Sequence, residues 1–270
     1  MTASIAWIDD RWGQPDQLGV PLSDRGLQLA DGLFETVLVE DGEPCLLAQH
    51  LARWHGSARL LGMAAPPQRD WLEPLIADAV HHVSLQRGSG ALRLNWSRDG
   101  AESRGVSTNS SAAMRFWLSL QTIQPTQQPI TAITSQRERR NPLSLLSRCK
   151  TFSYGQAIQA RREAERNGAD EAVLLNTSGE LCCGTVANLL VLRQGQWLTP
   201  PLSSGCLPGV IRQRGLDLGR LEEAWLGEAL QSDDQAVLVN SLGCRPLRSI
   251  DGQRLQLSDA GVTLWAQLRR

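Results

Sequence analysis

Apolar residues at Leu51, Trp54, Ala58 and Leu61 recur at intervals of three and four through residues 49–62, the spacing of an amphipathic helix that Gly62 is placed to cap. The same period predicts a second helix from about Trp71 to Val83. A third carries Ala157, Ile158, Ala160 and Ala164, runs from about Tyr154 to Asn167 and is closed by Asn167-Gly168. Period-two alternation or short apolar runs predict strands at 5–8, 90–97, 114–120, 130–134, 171–176 and 187–192. Residues 37–47 read as strand around the turn Glu40-Asp-Gly-Glu43, with Asp-Gly as the hairpin signal, and Gln194-Gly195 turns the strand before it into 196–200. Residues 137–142, rich in arginine, read as a turn after the 130–134 strand. A glycine-containing turn at 205–209 runs directly into a further amphipathic helix.

Between the two halves lies Gln124-Pro-Thr-Gln-Gln-Pro129, polar, with two prolines and no apolar residue to bury. It divides the chain into an N-terminal α/β domain, 1–122, a linker, 123–129, and a C-terminal domain, 130–270. At 270 residues each half is long enough to bury its own core. The formal net charge of −1 gives no basic field to draw the chain to nucleic acid or anionic lipid, so a small-molecule partner is expected. The start Met1-Thr-Ala-Ser-Ile has neither a basic nor an apolar signal region, no run approaches a membrane span, and a cytoplasmic protein is expected. Six cysteines with no C-x-x-C pair read as free thiols, and the four histidines show no metal-binding spacing, so no metal site is expected.

Composition changes the picture at one residue. Of the 27 basic residues, all but Lys150 are arginines. Arginine stays protonated at any ordinary pH, whereas a lysine can lose its proton and form a Schiff base with a carbonyl. Lys150 sits just before the helix at 154–167, in Lys150-Thr-Phe-Ser-Tyr154, a placement that suits a reactive side chain. Two further features invite a ligand. The turn Leu207-Pro-Gly209 runs into a helix whose first backbone N–H groups make a ready phosphate site, and the arginines on and around the loop 98–105 could each grip a carboxylate in a bidentate fork. In isolation each also has a plain structural reading, as an ordinary turn or a solvated charge.

Taken together and in this order, Asp24-Arg-Gly-Leu, Asp31-Gly-Leu-Phe-Glu-Thr36, His50-Leu-Ala-Arg53, Lys150-Thr-Phe-Ser-Tyr154, Thr185-Val-Ala-Asn188, Pro208-Gly-Val-Ile-Arg212 and Asn240-Ser-Leu-Gly-Cys-Arg-Pro-Leu247 resemble the fold type IV family of pyridoxal-phosphate (PLP) enzymes. That family holds branched-chain and D-amino-acid aminotransferases and 4-amino-4-deoxychorismate lyases. The resemblance covers nearly the whole chain. It implies an α+β two-domain fold with a smaller N-terminal α/β domain and a C-terminal, barrel-like domain with flanking helices. It also implies a homodimer with the cofactor between the two domains. Lys150 would hold PLP as a Schiff base and then move the proton. Arg53 and the backbone of Gly209, Val210 and Ile211 would bind its phosphate, with Ser241 and a backbone contact from Leu242. Tyr154, the only tyrosine, would lie near the phenolic oxygen, and Asn188 would complete the cofactor set. Phe34, Arg93, Arg98 and Arg104 would meet the substrate.

One departure stands out. Counting back from Asn188, the family's glutamate for the pyridine nitrogen falls on Cys183. A neutral thiol, of ordinary pKa about 8.5, would leave the ring nitrogen mostly unprotonated. Elimination tolerates that better than transamination does, and the Asn-Ser-Leu ending also resembles the lyases. The sequence therefore favours the lyase. An aminotransferase of branched-chain or D-amino acids on the same fold, and a PLP-binding protein without catalysis, are the alternatives.

Overall fold

A computed structural model describes residues 3–99, 105–106 and 113–270 of the chain. It divides into two compact units, 1–124 with 150–153, and 125–149 with 154–270. The break after Gln124 falls inside the expected linker. The segment Lys150–Ser153 was expected with the C-terminal domain and instead belongs to the first unit.

In the first unit, β1 (Ser4–Ile8), β2 (Arg11–Gly13), β3 (Gly32–Glu40), β4 (Glu43–Pro44), β5 (Ser89–Arg98) and β6 (Met114–Ile123) form one antiparallel sheet in the order β2-β1-β6-β5-β3-β4. Helices α1 (Arg25–Leu29), α2 (Leu47–Leu60) and α3 (Arg69–His82) complete it. Register fixes which side chains share a face, because neighbours alternate and cross-strand partners match. Leu33, Glu35 and Val37 of β3 therefore lie with Trp96, Leu94 and Leu92 of β5, and with Phe116, Leu118 and Leu120 of β6. This face receives the helices: Trp54 of α2 meets Phe116 and Trp96 at 6.2 and 6.5 Å between ring centroids, and Trp71 of α3 meets Phe116 edge-on at 5.2 Å. Burial of Trp54, Leu92, Leu94, Leu118 and Leu120 follows, each 1% exposed or less.

The opposite face carries Phe34, Thr36, Arg93, Asn95 and Trp117. Lys150–Phe152 joins the sheet beside β3: Phe34 N–H donates to Lys150 O at 2.9 Å, Phe152 N–H donates to Gly32 O at 3.0 Å, and Leu33 and Thr151 form an antiparallel bridge. The same alternation then places Lys150 and Phe152 on the face of Phe34.

In the second unit, β7 (Ile130–Arg140), α4 (Gly155–Arg166), β8 (Glu171–Asn176), β9 (Leu181–Gly184), β10 (Asn188–Arg193), β11 (Gln196–Thr199), α5 (Val210–Asp217), β12 (Glu222–Glu223), β13 (Gln235–Asn240), β14 (Gly243–Ile250), β15 (Gln253–Arg254) and α6 (Ala260–Leu268) follow in order. The pairings β10-β13-β14-β7-β8-β9 close on themselves through β9–β10 contact at Cys183 and Asn188, giving a six-stranded barrel. The interior is filled by Ile130, Val173, Leu189, Val191, Leu238 and Leu247. Ala160 and Ala164 of α4 lie against Ala172, Leu174 and the thiols of Cys182, Cys183 and Cys206, small groups that let the helix come close. The arginine-rich stretch 137–140, expected as a turn, is the end of β7. The strand absorbs an irregularity between Thr134 and Arg139 where it pairs with β8, and Arg139 and Arg140 satisfy themselves on backbone carbonyls.

Arg98, at the end of β5, is buried and donates from Nη2 to Leu61 O at 3.2 Å and Gly62 O at 2.7 Å, closing the C-terminal end of α2, while its Nε lies 3.4 Å from Asp31. Replacing it by Met leaves those carbonyls and Asp31 without the cation. The expected loss is about 2–3 kcal/mol of unfolding free energy, read as a lowered urea midpoint with an unchanged slope.

Candidate cofactor and active site

Glu35 is a carboxylate in the middle of an apolar strand run and is 1% exposed. Its partners come from one face of α2, where the three-residue spacing aligns His50 and Arg53. Arg53 grips it with both arms of the fork, Nε to Oε1 at 2.8 Å and Nη2 to Oε2 at 2.5 Å, and His50 Nδ1–H donates to Oε2 at 2.7 Å. Burial alone would raise the Glu35 pKa. The Arg53 charge and the hydrogen bonds from His50 and Arg53 outweigh it and bring the group down to about 2. His50 moves down from its ordinary value chiefly through burial, with the charges of Arg53 and Lys150 adding to it against the pull of Glu35. His50 is therefore a neutral donor. The sequence named Arg53 for the phosphate but gave Glu35 and His50 no task; the unbalanced charge inside an apolar strand was the signal.

On the opposite sheet face Lys150 Nζ lies 4.3 Å from the Phe34 ring centroid. The Arg93 guanidinium carbon lies 3.6 Å from the same centroid, and Arg93 Nε donates to Asn95 Oδ1 at 2.8 Å. Phe152 stands 6.2 Å from Phe34 and 5.6 Å from Trp117. Gly32 has no room for a side chain: a Cβ there would come within 2.2 Å of the Phe152 ring. Of the four residues expected at the substrate, Phe34 and Arg93 are brought to Lys150. Arg98 is not; it closes α2, because its side chain is enclosed with the helix end. Arg104 lies outside the described residues.

The second unit holds the other expected cofactor residues. Gly209 precedes α5, which begins without a side-chain cap hydrogen bond, so its first N–H groups include those of Val210 and Ile211. Asn188 donates from Nδ2 to Leu207 O at 2.9 Å, and a Cβ on Gly209 would fall 1.9 Å from Asn188 Oδ1. Tyr154 is half-buried at the start of α4. Ser241 and Leu242 form the turn between β13 and β14. Leu242 was expected to offer a backbone contact to the phosphate. Its N–H instead donates to Asn240 Oδ1 at 2.8 Å, because the asparagine side chain closes that turn locally.

Cys183 is buried in β9. Cys182 beside it and the charge of Arg140 bring its pKa below the ordinary thiol value, against burial and the charge of Glu171. Cys182 moves up, through the neighbouring Cys183 and through burial, and burial pushes Cys206 up to about 11 and Cys244 up to about 12.

The profile for amino-transferase class IV matches residues 32–250. The chain belongs to that family. A bifunctional aminodeoxychorismate lyase / D-amino acid transaminase of Mycobacterium tuberculosis is 29% identical over 265 residues, covering 90% of this chain and 91% of its own. A PLP-bound structure of a hypothetical aminotransferase from M. tuberculosis superposes with a TM-score of 0.84 at 24% identity, over 98% of this chain and 97% of that one. A Legionella pneumophila structure assigned provisionally as 4-amino-4-deoxychorismate lyase gives 0.82 at 26% identity, over 93% and 94%. This class IV protein thus has the α+β fold of type IV PLP enzymes, and its cofactor is PLP. Each unit taken by itself carries groups that suit it: the first a lysine amine for the aldehyde, the second a helix start preceded by a glycine for the phosphate. Among the described residues no helix is long and apolar enough to cross a membrane.

Two outcomes test the site. Glu35 is depressed when folded, from an ordinary 4.5 to about 2, so its contribution is complete above pH 4.5 and is lost as the pH falls through about 2. Urea unfolding at stepped pH across that window should show wild-type stability falling with acid by about 3 kcal/mol more than in Glu35→Gln. Gly209→Ala pushes Asn188 off its place and disturbs the start of α5. Spectroscopic titration should show PLP held at least about tenfold more weakly, equivalent to about 1.4 kcal/mol.

Proposed function

We propose that this class IV protein is a 4-amino-4-deoxychorismate lyase, converting its substrate to 4-aminobenzoate and pyruvate in folate biosynthesis, as a cytoplasmic homodimer. The observation that carries the reading is the surface beside Lys150. Three aromatic rings, Phe34, Phe152 and Trp117, and the Arg93 guanidinium share one sheet face with the reactive amine. Such a surface suits a planar ring bearing a carboxylate: the rings receive its face and Arg93 its charge. A branched aliphatic side chain would cover less of that ring surface than a planar ring does. The relative named for lyase activity supports the same reading.

PLP, when bound, supplies an aldehyde for the substrate's amine and an electron-withdrawing ring. Lys150 Nζ then accepts the proton from the amine-bearing carbon. The enolpyruvyl group leaves from the adjacent carbon through its oxygen, which keeps the bonding pair, and the released enolate takes a proton from water at its methylene carbon to give pyruvate. Loss of that group completes an aromatic ring in the product, so much of the driving force lies in the substrate. Arg93, held by Asn95, fixes the ring carboxylate and so places the amine-bearing carbon toward Lys150. Glu35 and His50 hold the Arg53 guanidinium for the cofactor's phosphate.

The second reading is an aminotransferase, favoured by the name of the same M. tuberculosis relative, which pairs lyase with D-amino acid transaminase. The test supplies the protein with PLP and 4-amino-4-deoxychorismate and follows both products. Equal amounts of pyruvate and 4-aminobenzoate are expected, none with Lys150→Ala, and a fall of at least about tenfold in kcat/KM with Arg93→Met. No product from PLP-loaded protein, together with conversion of the cofactor to its amine form by D- or branched-chain amino acids, would replace the lyase by the transaminase.

A further inference from the structure

The residues expected around the cofactor in the barrel unit sit on three connections: 185–187 with Asn188 directly after it, between β9 and β10; the segment 207–209 that enters α5; and the turn Ser241-Leu242 between β13 and β14. Two asparagine amides join them. Asn188 donates from Nδ2 to Leu207 O at 2.9 Å, which ties the end of the first connection to the entry of α5. Asn240 donates from Nδ2 to Val186 O at 3.3 Å, which ties the middle of that connection to the β13–β14 turn. The stretch from Val186 to Asn188 is therefore gripped from both sides.

Asn240 makes two further bonds. Its Oδ1 accepts from Leu242 N–H at 2.8 Å, and its backbone O accepts from Trp265 Nε1 of α6 at 2.9 Å. The amide thus faces one N–H and one carbonyl, and both together fix which way it points. A carboxylate has no donor for Val186 O, and a serine hydroxyl is one bond shorter. The turn also has support that does not pass through this side chain. Leu242 O accepts from Thr126 N–H at 3.3 Å, Cys244 N–H donates to Thr126 O at 3.0 Å, and Asn240 pairs with Gly243 across the hairpin. Loss of the Asn240 amide therefore frees the turn from the 185–187 connection without undoing the hairpin. That connection is itself anchored: Arg161 Nη2 donates to Thr185 Oγ1 at 2.9 Å, and Thr185 Oγ1–H donates to buried Glu171 Oε1 at 2.6 Å. With Thr185 held, Asn240 has a fixed partner one residue on.

We propose that Asn240 is a positioning residue for the cofactor's phosphate: through Val186 O it fixes Ser241, on the β13–β14 turn, relative to the α5 entry that Asn188 holds. The phosphate's place at Ser241 and α5 rests on the cofactor reading above; the two amide ties do not. A phosphate held by groups from separate segments is gripped only as well as those segments are held to each other. Asn240 acts on the phosphate end alone, since the aldehyde end is taken up by Lys150, which does not depend on this turn.

Titration of the full chain with PLP and with pyridoxal, which lacks the phosphate, tests this through the visible band in wild type, Asn240→Ala, Asn240→Ser and Trp265→Phe. Asn240→Ala should hold PLP at least about tenfold more weakly, and pyridoxal within about twofold of wild type. In Asn240→Ser the hydroxyl can still accept from Leu242 N–H but is too short for Val186 O, so it should show most of the same loss. Should Asn240→Ala not fold, Asn240→Ser decides. Trp265→Phe removes the bond to Asn240 O and part of the core; it should lower the urea midpoint and keep the wild-type ratio of PLP to pyridoxal affinity, so that ratio separates positioning from lost stability. Equal weakening of PLP and pyridoxal in the Asn240 variants, or no weakening of either, would overturn the proposal. Gly209→Ala, which disturbs the start of α5 directly, tests the cofactor reading by the same ratio. Selective loss of PLP there beside unselective Asn240 variants keeps the reading and overturns the proposal, whereas equal loss of both ligands there overturns the reading.

Discussion

The pairing of Lys150–Phe152 with the start of β3 sets the position of the reactive amine. Two backbone hydrogen bonds, Phe34 N to Lys150 O and Phe152 N to Gly32 O, fix the register, and register decides the face. A slip by one residue would turn Lys150 to the helix-covered side with Leu33 and Glu35, and bring Thr151 to the aromatic surface. Gly32 and Phe152 help to prevent that slip, since the ring fills the space where a side chain at 32 would stand. The amine is thus placed by backbone pairing of its loop with β3, which sets it on one side of the sheet.

The two faces of that sheet have different tasks. One is packed by Trp54, Phe116 and the leucines of β5 and β6, and into it is set the Glu35 carboxylate with His50 and Arg53. That trio is costly to bury unless every member is satisfied, and here His50 stays neutral so that one arginine and one carboxylate balance. Its effect is to hold a guanidinium in one orientation from behind. The other face keeps Phe34, Arg93, Asn95 and Trp117 beside Lys150, where a ring with a carboxylate has both a surface and a counter-charge.

In the barrel unit the same principle governs β7 to β9. Small side chains on α4 and β8 allow close approach, and close approach brings the three thiols of Cys182, Cys183 and Cys206 together.

The sequence by itself determined the family and the cofactor, and it singled out Lys150 as the residue expected to react. A single lysine in a chain that otherwise uses arginine, set among ordered short motifs, is legible because its chemistry is local and its spacings are fixed by the chain. The helices α2, α3 and α4 were legible for the same reason: a 3.6-residue period is written along the chain. Helix α6 was not, since Ala260–Leu268 is largely apolar and lacks a polar face to mark its period. Nor were the tasks of Glu35, His50, Arg98, Leu242 and Arg140. Each depends on a partner from another element or from turn closure: α2 for Glu35, the end of α2 for Arg98, Asn240 for Leu242, the 204–206 turn for Arg140. Strand register and helix packing choose those partners. They alone decided that Arg98 caps a helix and that Lys150 pairs with the start of β3, because hydrogen bonds and charges act across distances that sequence separation does not record.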